Sequence, residues 1–169
     1  MTRQDQMYKW SIYALGLLPI WILDAYLLGR YPIMGVKPML LMLAVVTVAV
    51  LEGALAGAGF GLAVGLLWAL GYTSSPGIII LLVLTGMAVG IIAQYALTQG
   101  FLGCLLCSAA ALTVYACFHI LWGLFSQLAP FSALMEVAPK ESLLTLPWTP
   151  LVYLIFRTIF RRVGLDKLA

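Results

Sequence analysis

Between Lys37 and Thr73 a single charged side chain, Glu52, interrupts a sequence that is otherwise apolar and studded with glycine. At a rise of about 1.5 Å per residue, that run is far too long for one crossing of a hydrocarbon layer about 30 Å thick. It must fold back on itself, and the place with the right residues for a tight turn is Glu52 to Gly57. Nor can it belong to a water-soluble domain. The whole chain is 64% hydrophobic and 9% charged, where soluble domains run at about 45–50% apolar and about 25% charged. Mean hydropathy is +1.09. The sequence therefore predicts an all-α integral membrane protein, since backbone groups in lipid must be satisfied within each segment and no alternating barrel strands are present.

With 169 residues and about 20 apolar residues needed per crossing, there is room for some six spans. Breaks in hydropathy predict helices at approximately 10–29, 38–52, 57–72, 76–98, 100–125 and 143–162, in one transmembrane domain covering 1–169, with an outer loop at 126–142. No small-x-small cleavage site follows the apolar stretch that ends at Gly29, which predicts a retained first span rather than a removed signal. Orientation follows from lysine and arginine. A cytoplasmic N-terminus places Arg3, Lys9, Arg157, Arg161, Arg162 and Lys167 inside, against Arg30, Lys37 and Lys140 outside. Both termini are then cytoplasmic, which requires an even number of crossings. In the loop, Phe131, Leu134 and Met135 recur at helical spacing, so these residues are candidates for an outer contact, either as a short interfacial helix or as a plain connection.

Glycine inside a helix costs about 1 kcal/mol relative to alanine, yet Gly57, Gly61 and Gly65 recur every fourth residue, with Gly86 and Gly90 following in the next segment. One face of each helix is thereby bare of side chains. Close van der Waals contact between such faces supplies much of the association energy of helices in lipid. These glycines are the predicted helix-packing or partner-docking positions, and a homodimer is compatible with the same pattern. Tyr72, Thr73, Pro76 and Gly77 form the predicted turn into the fourth span.

Polar residues at membrane depth are few. Asp24 is expected to pair with Arg30 or Lys37, and Glu52 lies at the depth where Arg157 enters the last span, so these residues are the candidate intramembrane ion pairs. Gln94 and His119 suit interhelical hydrogen bonds. The three cysteines, Cys104, Cys107 and Cys117, fall in one apolar stretch without further metal ligands. No basic run is interleaved with aromatics, which gives no sign of nucleic-acid binding. A hydrolase would draw on Ser108, His119 and Asp24, but Ser108 and His119 stand eleven residues apart on one helix, about 16 Å by helix rise, and cannot meet. The single histidine also rules out H-E-x-x-H. A non-enzymatic protein without a cofactor is expected.

From Gly65 to Gly77 the chain reads GLLWALGYTSSPG, preceded by Gly59-Phe60. This resembles the segment of MreD-family rod-shape-determining membrane proteins in which a glycine-rich span ends in an apolar run, a small polar turn and a glycine that opens the next helix. Lys37-Pro38 before a leucine-rich span, and Leu146-Pro147 before a basic tail with Arg157, Arg161 and Arg162, are similar to that family as well. The likeness in length, span number and loop placement extends over nearly the whole chain. One departure is Ala69, where the family commonly carries an aspartate.

The resemblance implies a scaffold subunit of the bacterial cell-elongation machinery in the cytoplasmic membrane. It would dock the single-span protein MreC and link it to MreB, RodA and penicillin-binding proteins that build lateral peptidoglycan. It also implies a compact six-helix bundle similar in architecture to the substrate-binding subunits of energy-coupling-factor vitamin transporters. Such a subunit is the alternative function, with Asp24, Trp68, Tyr72, Thr73 and Thr85 as the polar groups available to a pocket.

Overall fold

The computed structural model describes the backbone of residues 3–28, 36–71, 77–95, 100–125 and 131–165, and the side chains of 7–26, 36–70, 77–95, 100–125 and 135–161. The described chain is entirely helical apart from short connections. Helix α1 (Arg3–Ile22) continues into a π-helical stretch, Leu23–Leu28; α2 is Leu40–Glu52, α3 Ala54–Gly71, α4 Gly77–Tyr95 and α5 Phe101–Phe125. Helix α6 (Phe131–Thr145) passes through a 3-10 turn, Leu146–Trp148, directly into α7 (Thr149–Leu165).

The expectation of six transmembrane helices is corrected by these lengths. Among the described residues three helical segments are long and apolar enough to cross a membrane: Gly77–Tyr95, Phe101–Phe125 and Met135–Arg161. With six crossings gone, the even-number argument for two cytoplasmic termini loses its footing, and so does the six-helix architecture drawn from the transporter subunits. The physical reason is clearest in α2. It has 13 residues, about 20 Å of helix, and all but its last residue are buried. Its unbroken apolarity comes from being surrounded by protein on every side, which hydropathy alone reads as a lipid-facing span.

Helix α2 is thus the axis of the bundle, and its ends depend on its neighbours. Met39, the residue before it, has no side-chain acceptor for the free N–H groups of a helix start. Asp24, from the π-helical stretch after α1, accepts the Leu40 N–H at 3.3 Å. Thr145, at the end of α6, accepts the Met39 N–H at 3.1 Å. At the far end Gly53 takes φ +96°, a conformation that side chains oppose. One residue therefore suffices to turn α2 into α3, within the stretch where the sequence demands a turn.

Helix α3 returns antiparallel to α2, and α4 packs along α3 backbone to backbone. A Cβ built on Gly57 would lie 2.6 Å from the Gly86 carbonyl oxygen, one on Gly61 2.6 Å from the Leu82 oxygen, and one on Gly65 3.1 Å from Ile79 Cα. From the other side, a Cβ on Gly86 would fall 2.4 Å from the Gly57 oxygen, and one on Gly90 2.4 Å from Ala54 Cα. An aromatic cluster closes the bundle elsewhere. Tyr13 of α1 stacks on Phe156 of α7 with centroids 6.1 Å apart, and Phe60 of α3 meets Phe156 edge-on at 5.7 Å.

Candidate partner-docking groove

The five packing glycines are all consumed in the contact between α3 and α4, so they face other parts of this chain. Among the described residues, none fills a second small-residue face on α3. Gly59 has open space where a Cβ would project. Around it lies an apolar groove of about 670 Å³ between α1 and α3, with Ala14, Leu18 and Trp21 on one wall and Gly59, Ala63 and Leu67 on the other. Phe60, held by Tyr13 and Phe156, lies along its floor. Helix α3 runs alongside α4, which is long and apolar enough to cross a membrane, and the groove lies at the level of that span. On α1 the residues Trp10, Ala14, Leu18 and Trp21 recur at intervals of three or four, so one face of that helix lines the groove. That periodicity was visible in the sequence. What it lacked was any sign of which helix stood opposite.

The candidate ion pairs resolve into two knots at opposite ends of α2. At its start, the fully buried Asp24 lies 3.5 Å from the Lys37 ammonium while also capping α2. At its end, Glu52 pairs with Lys9 and accepts a 2.8 Å hydrogen bond from the Tyr13 hydroxyl. Arg157, the cation expected near Glu52 by depth, instead places its guanidinium 5.6 Å from the centroid of the Tyr153 ring. Lys9 wins because α1 runs antiparallel to α2 and brings its first turns to the α2 terminus. Both carboxylates thus tie α1 to the central helix, and neither points into the groove.

The remaining predicted positions fall as follows. Gly77 opens α4, whereas Tyr72, Thr73 and Pro76 lie outside the described residues. Met135 is exposed on α6, and Phe131 and Leu134 belong to the same helix, with side chains outside the described set. Residues 131–142 of the predicted outer loop are therefore helical. Trp68 and Thr85 are buried, as is Asp24. Ala69 is exposed on α3. Gln94 packs its carboxamide over Gly53. His119 stacks on Tyr115 with centroids 6.0 Å apart, and the Cys104 sulfur contacts the Thr47 hydroxyl at 3.7 Å. Among the described residues no group of three or more potential metal ligands gathers.

Fold and groove define the class: a multi-pass, all-helical membrane protein with an open apolar groove at membrane depth. No family model, curated protein or solved structure matches the chain.

Proposed function

We propose that this protein is a non-enzymatic scaffold of the bacterial cytoplasmic membrane, acting in the rod-shape machinery, and that the groove between α1 and α3 takes the membrane helix of a single-span partner. The observation that carries the reading is the unfilled small-residue face of Gly59 and Ala63 opposite Ala14. Helix α3 already holds α4 by this kind of surface, and Gly59 and Ala63 repeat it on a neighbouring face without an occupant. A transmembrane helix suits such a face because bare backbone permits the close approach on which association in lipid depends. A small polar ligand suits it poorly, since the lining is almost wholly apolar and the buried Asp24 and part-buried Glu52 are engaged elsewhere. By the family resemblance, the partner is MreC, with MreB, RodA and penicillin-binding proteins further along the assembly.

The test is depletion in the host together with site-directed crosslinking. Loss of the protein is expected to round the cells. A cysteine at Ala63 is expected to crosslink to the membrane helix of the single-span partner, while one at Leu102, on the exposed face of α5, is expected to give no product. Vitamin auxotrophy with unchanged cell shape would refute the proposal, as would crosslinking at Leu102 equal to that at Ala63.

A further inference from the structure

The two ends of the long helical segment formed by α6 and α7 differ in how their charges are held. At one end Lys140 is paired with Glu136 at 2.6 Å. At the other, Arg157 and Arg161 stand one turn apart and both are exposed. The apolar length between Lys140-Glu141 and Arg157, residues 142–156, spans about 22 Å of helix. Lysine and arginine side chains that snorkel outward add roughly 5 Å at each end. The sum matches a hydrocarbon layer of about 30 Å, which places the guanidinium of Arg157 at the level of the lipid headgroups and Arg161 just beyond it.

The surroundings favour an anion there. Helix α7 starts beside the beginning of α2, where Thr145 meets Met39, and runs toward the end of α2, where Phe156 stacks on Tyr13. Arg157 and Arg161 therefore share an end of the bundle with Lys9 and Glu52. Among the residues whose side chains are described, Glu52 is the carboxylate at this end, and it is already held by Lys9 and Tyr13. Those side chains carry three cations, Lys9, Arg157 and Arg161, against one carboxylate, or +2. Beneath Arg157 lies the Tyr153 ring, itself met edge-on by the half-exposed Phe101 of α5 at 5.6 Å. Phe101 thus stands exposed just inside the two cations, where a membrane–water boundary places an aromatic ring, with the buried Tyr153 behind it.

We propose that Arg157 and Arg161 form a binding surface for the phosphate headgroup of an anionic phospholipid, with the exposed side of Phe101 packing against the upper part of its acyl chains and the buried Tyr153 ring behind it holding the Arg157 guanidinium in place. The site lies on the α5–α7 side of the bundle and is independent of the docking groove. It would anchor α7 at a fixed depth and make the protein prefer anionic membrane.

The test uses the full-length protein, purified in detergent and offered vesicles of phosphatidylglycerol or phosphatidylcholine with matched acyl chains. Lipid retained per protein is counted by native mass spectrometry. The wild type is expected to retain phosphatidylglycerol in preference. An arginine near the membrane surface is worth about a five-fold preference, so Arg161→Gln should lose about five-fold and Arg157→Gln/Arg161→Gln about thirty-fold. Lys140→Gln, at the opposite end, should leave the preference unchanged. If the double variant fails to fold by circular dichroism, the single Arg161→Gln variant decides. Equal retention of both lipids by the wild type would overturn the proposal and leave an acidic protein segment as the better occupant. So would undiminished preference in Arg161→Gln, or displacement of phosphatidylglycerol by soluble glycerol phosphate, which would show a free-anion site.

Discussion

The same substitution should have opposite signs on two faces of α3 and its neighbour. At Gly86 an added Cβ would lie 2.4 Å from the Gly57 carbonyl oxygen and 2.8 Å from its carbon. A carbon and an oxygen sit comfortably near 3.3 Å, so the helices must part by nearly 1 Å, and a gap of that size forfeits a quarter to a half of each dispersion contact along the seam. Backbone cannot swing aside as a flexible side chain would. Overpacking costs about 1–3 kcal/mol in general, and a clash with rigid backbone belongs to the upper part of that range, about 2–3 kcal/mol, against which alanine returns about 1 kcal/mol of helix propensity. The expected net effect of Gly86→Ala is a loss of about 1–2 kcal/mol. At Gly59 there is nothing to strike, so Gly59→Ala should gain about 0.5–1 kcal/mol. The contact between Gly57 and Gly86 is reciprocal, so Gly57→Ala/Gly86→Ala should cost less than the sum of its parts: the two methyls share one separation of α3 from α4, while the 2.6 Å approach of a Gly57 methyl to Ala49 Cβ on α2 is a cost of its own. The assay is reversible unfolding of the full chain in mixed micelles, with a double-mutant cycle. A destabilised Gly59→Ala, a neutral Gly86→Ala, or strict additivity of the pair would refute the reasoning.

Glu52→Gln should cost about 1–3 kcal/mol, between the values for exposed and fully buried pairs. The amide can still accept from Tyr13, so Glu52→Ala should cost more, and an equal loss in both would show that the Lys9 charge contributes nothing. Asp24→Asn keeps an acceptor for the Leu40 N–H while losing the charge opposite Lys37. It should be milder by at least 1 kcal/mol than Asp24→Ala, which strands a buried donor; identical unfolding midpoints would remove the capping role. Filling the groove by Ala63→Phe should leave unfolding within about 0.5 kcal/mol of wild type, as for other open positions, and abolish copurification of the single-span partner. Retained copurification would show that the partner binds elsewhere.

The sequence carries the helical class, the turn after Glu52 and the identity of the close-packing glycines, because each follows from local chemistry. Polar backbone must be satisfied in lipid, φ near +96° needs Gly53, and glycine every fourth residue leaves a bare stripe. Pairing is a different matter. That Glu52 meets Lys9 in preference to Arg157 depends on the path of α1 across the bundle, which hydropathy cannot give. The span count was overestimated for a related reason. Val45, Val46 and Val48 look identical in sequence whether they face lipid or protein, and here they are fully buried.

Burying a helix such as α2 on all sides has a consequence for what the bundle can do. A helix that contacts only protein has no lipid to slide against, and its two ends are fastened by Asp24 and Thr145 at the start and by the Gly53 turn at the finish. Helix α1 is tied to it at both ends, through Asp24 and its Lys37 pair and through Glu52 with Lys9 and Tyr13. Helix α3 follows from it after a single residue. The two walls of the groove are thus mounted on the same central element at fixed spacing. A groove built this way is preorganised: a docking helix need not order its walls, and more of the contact energy is left for binding. The polar residues of the interior are placed where they hold this frame, while the chemistry of recognition is left to shape and bare backbone.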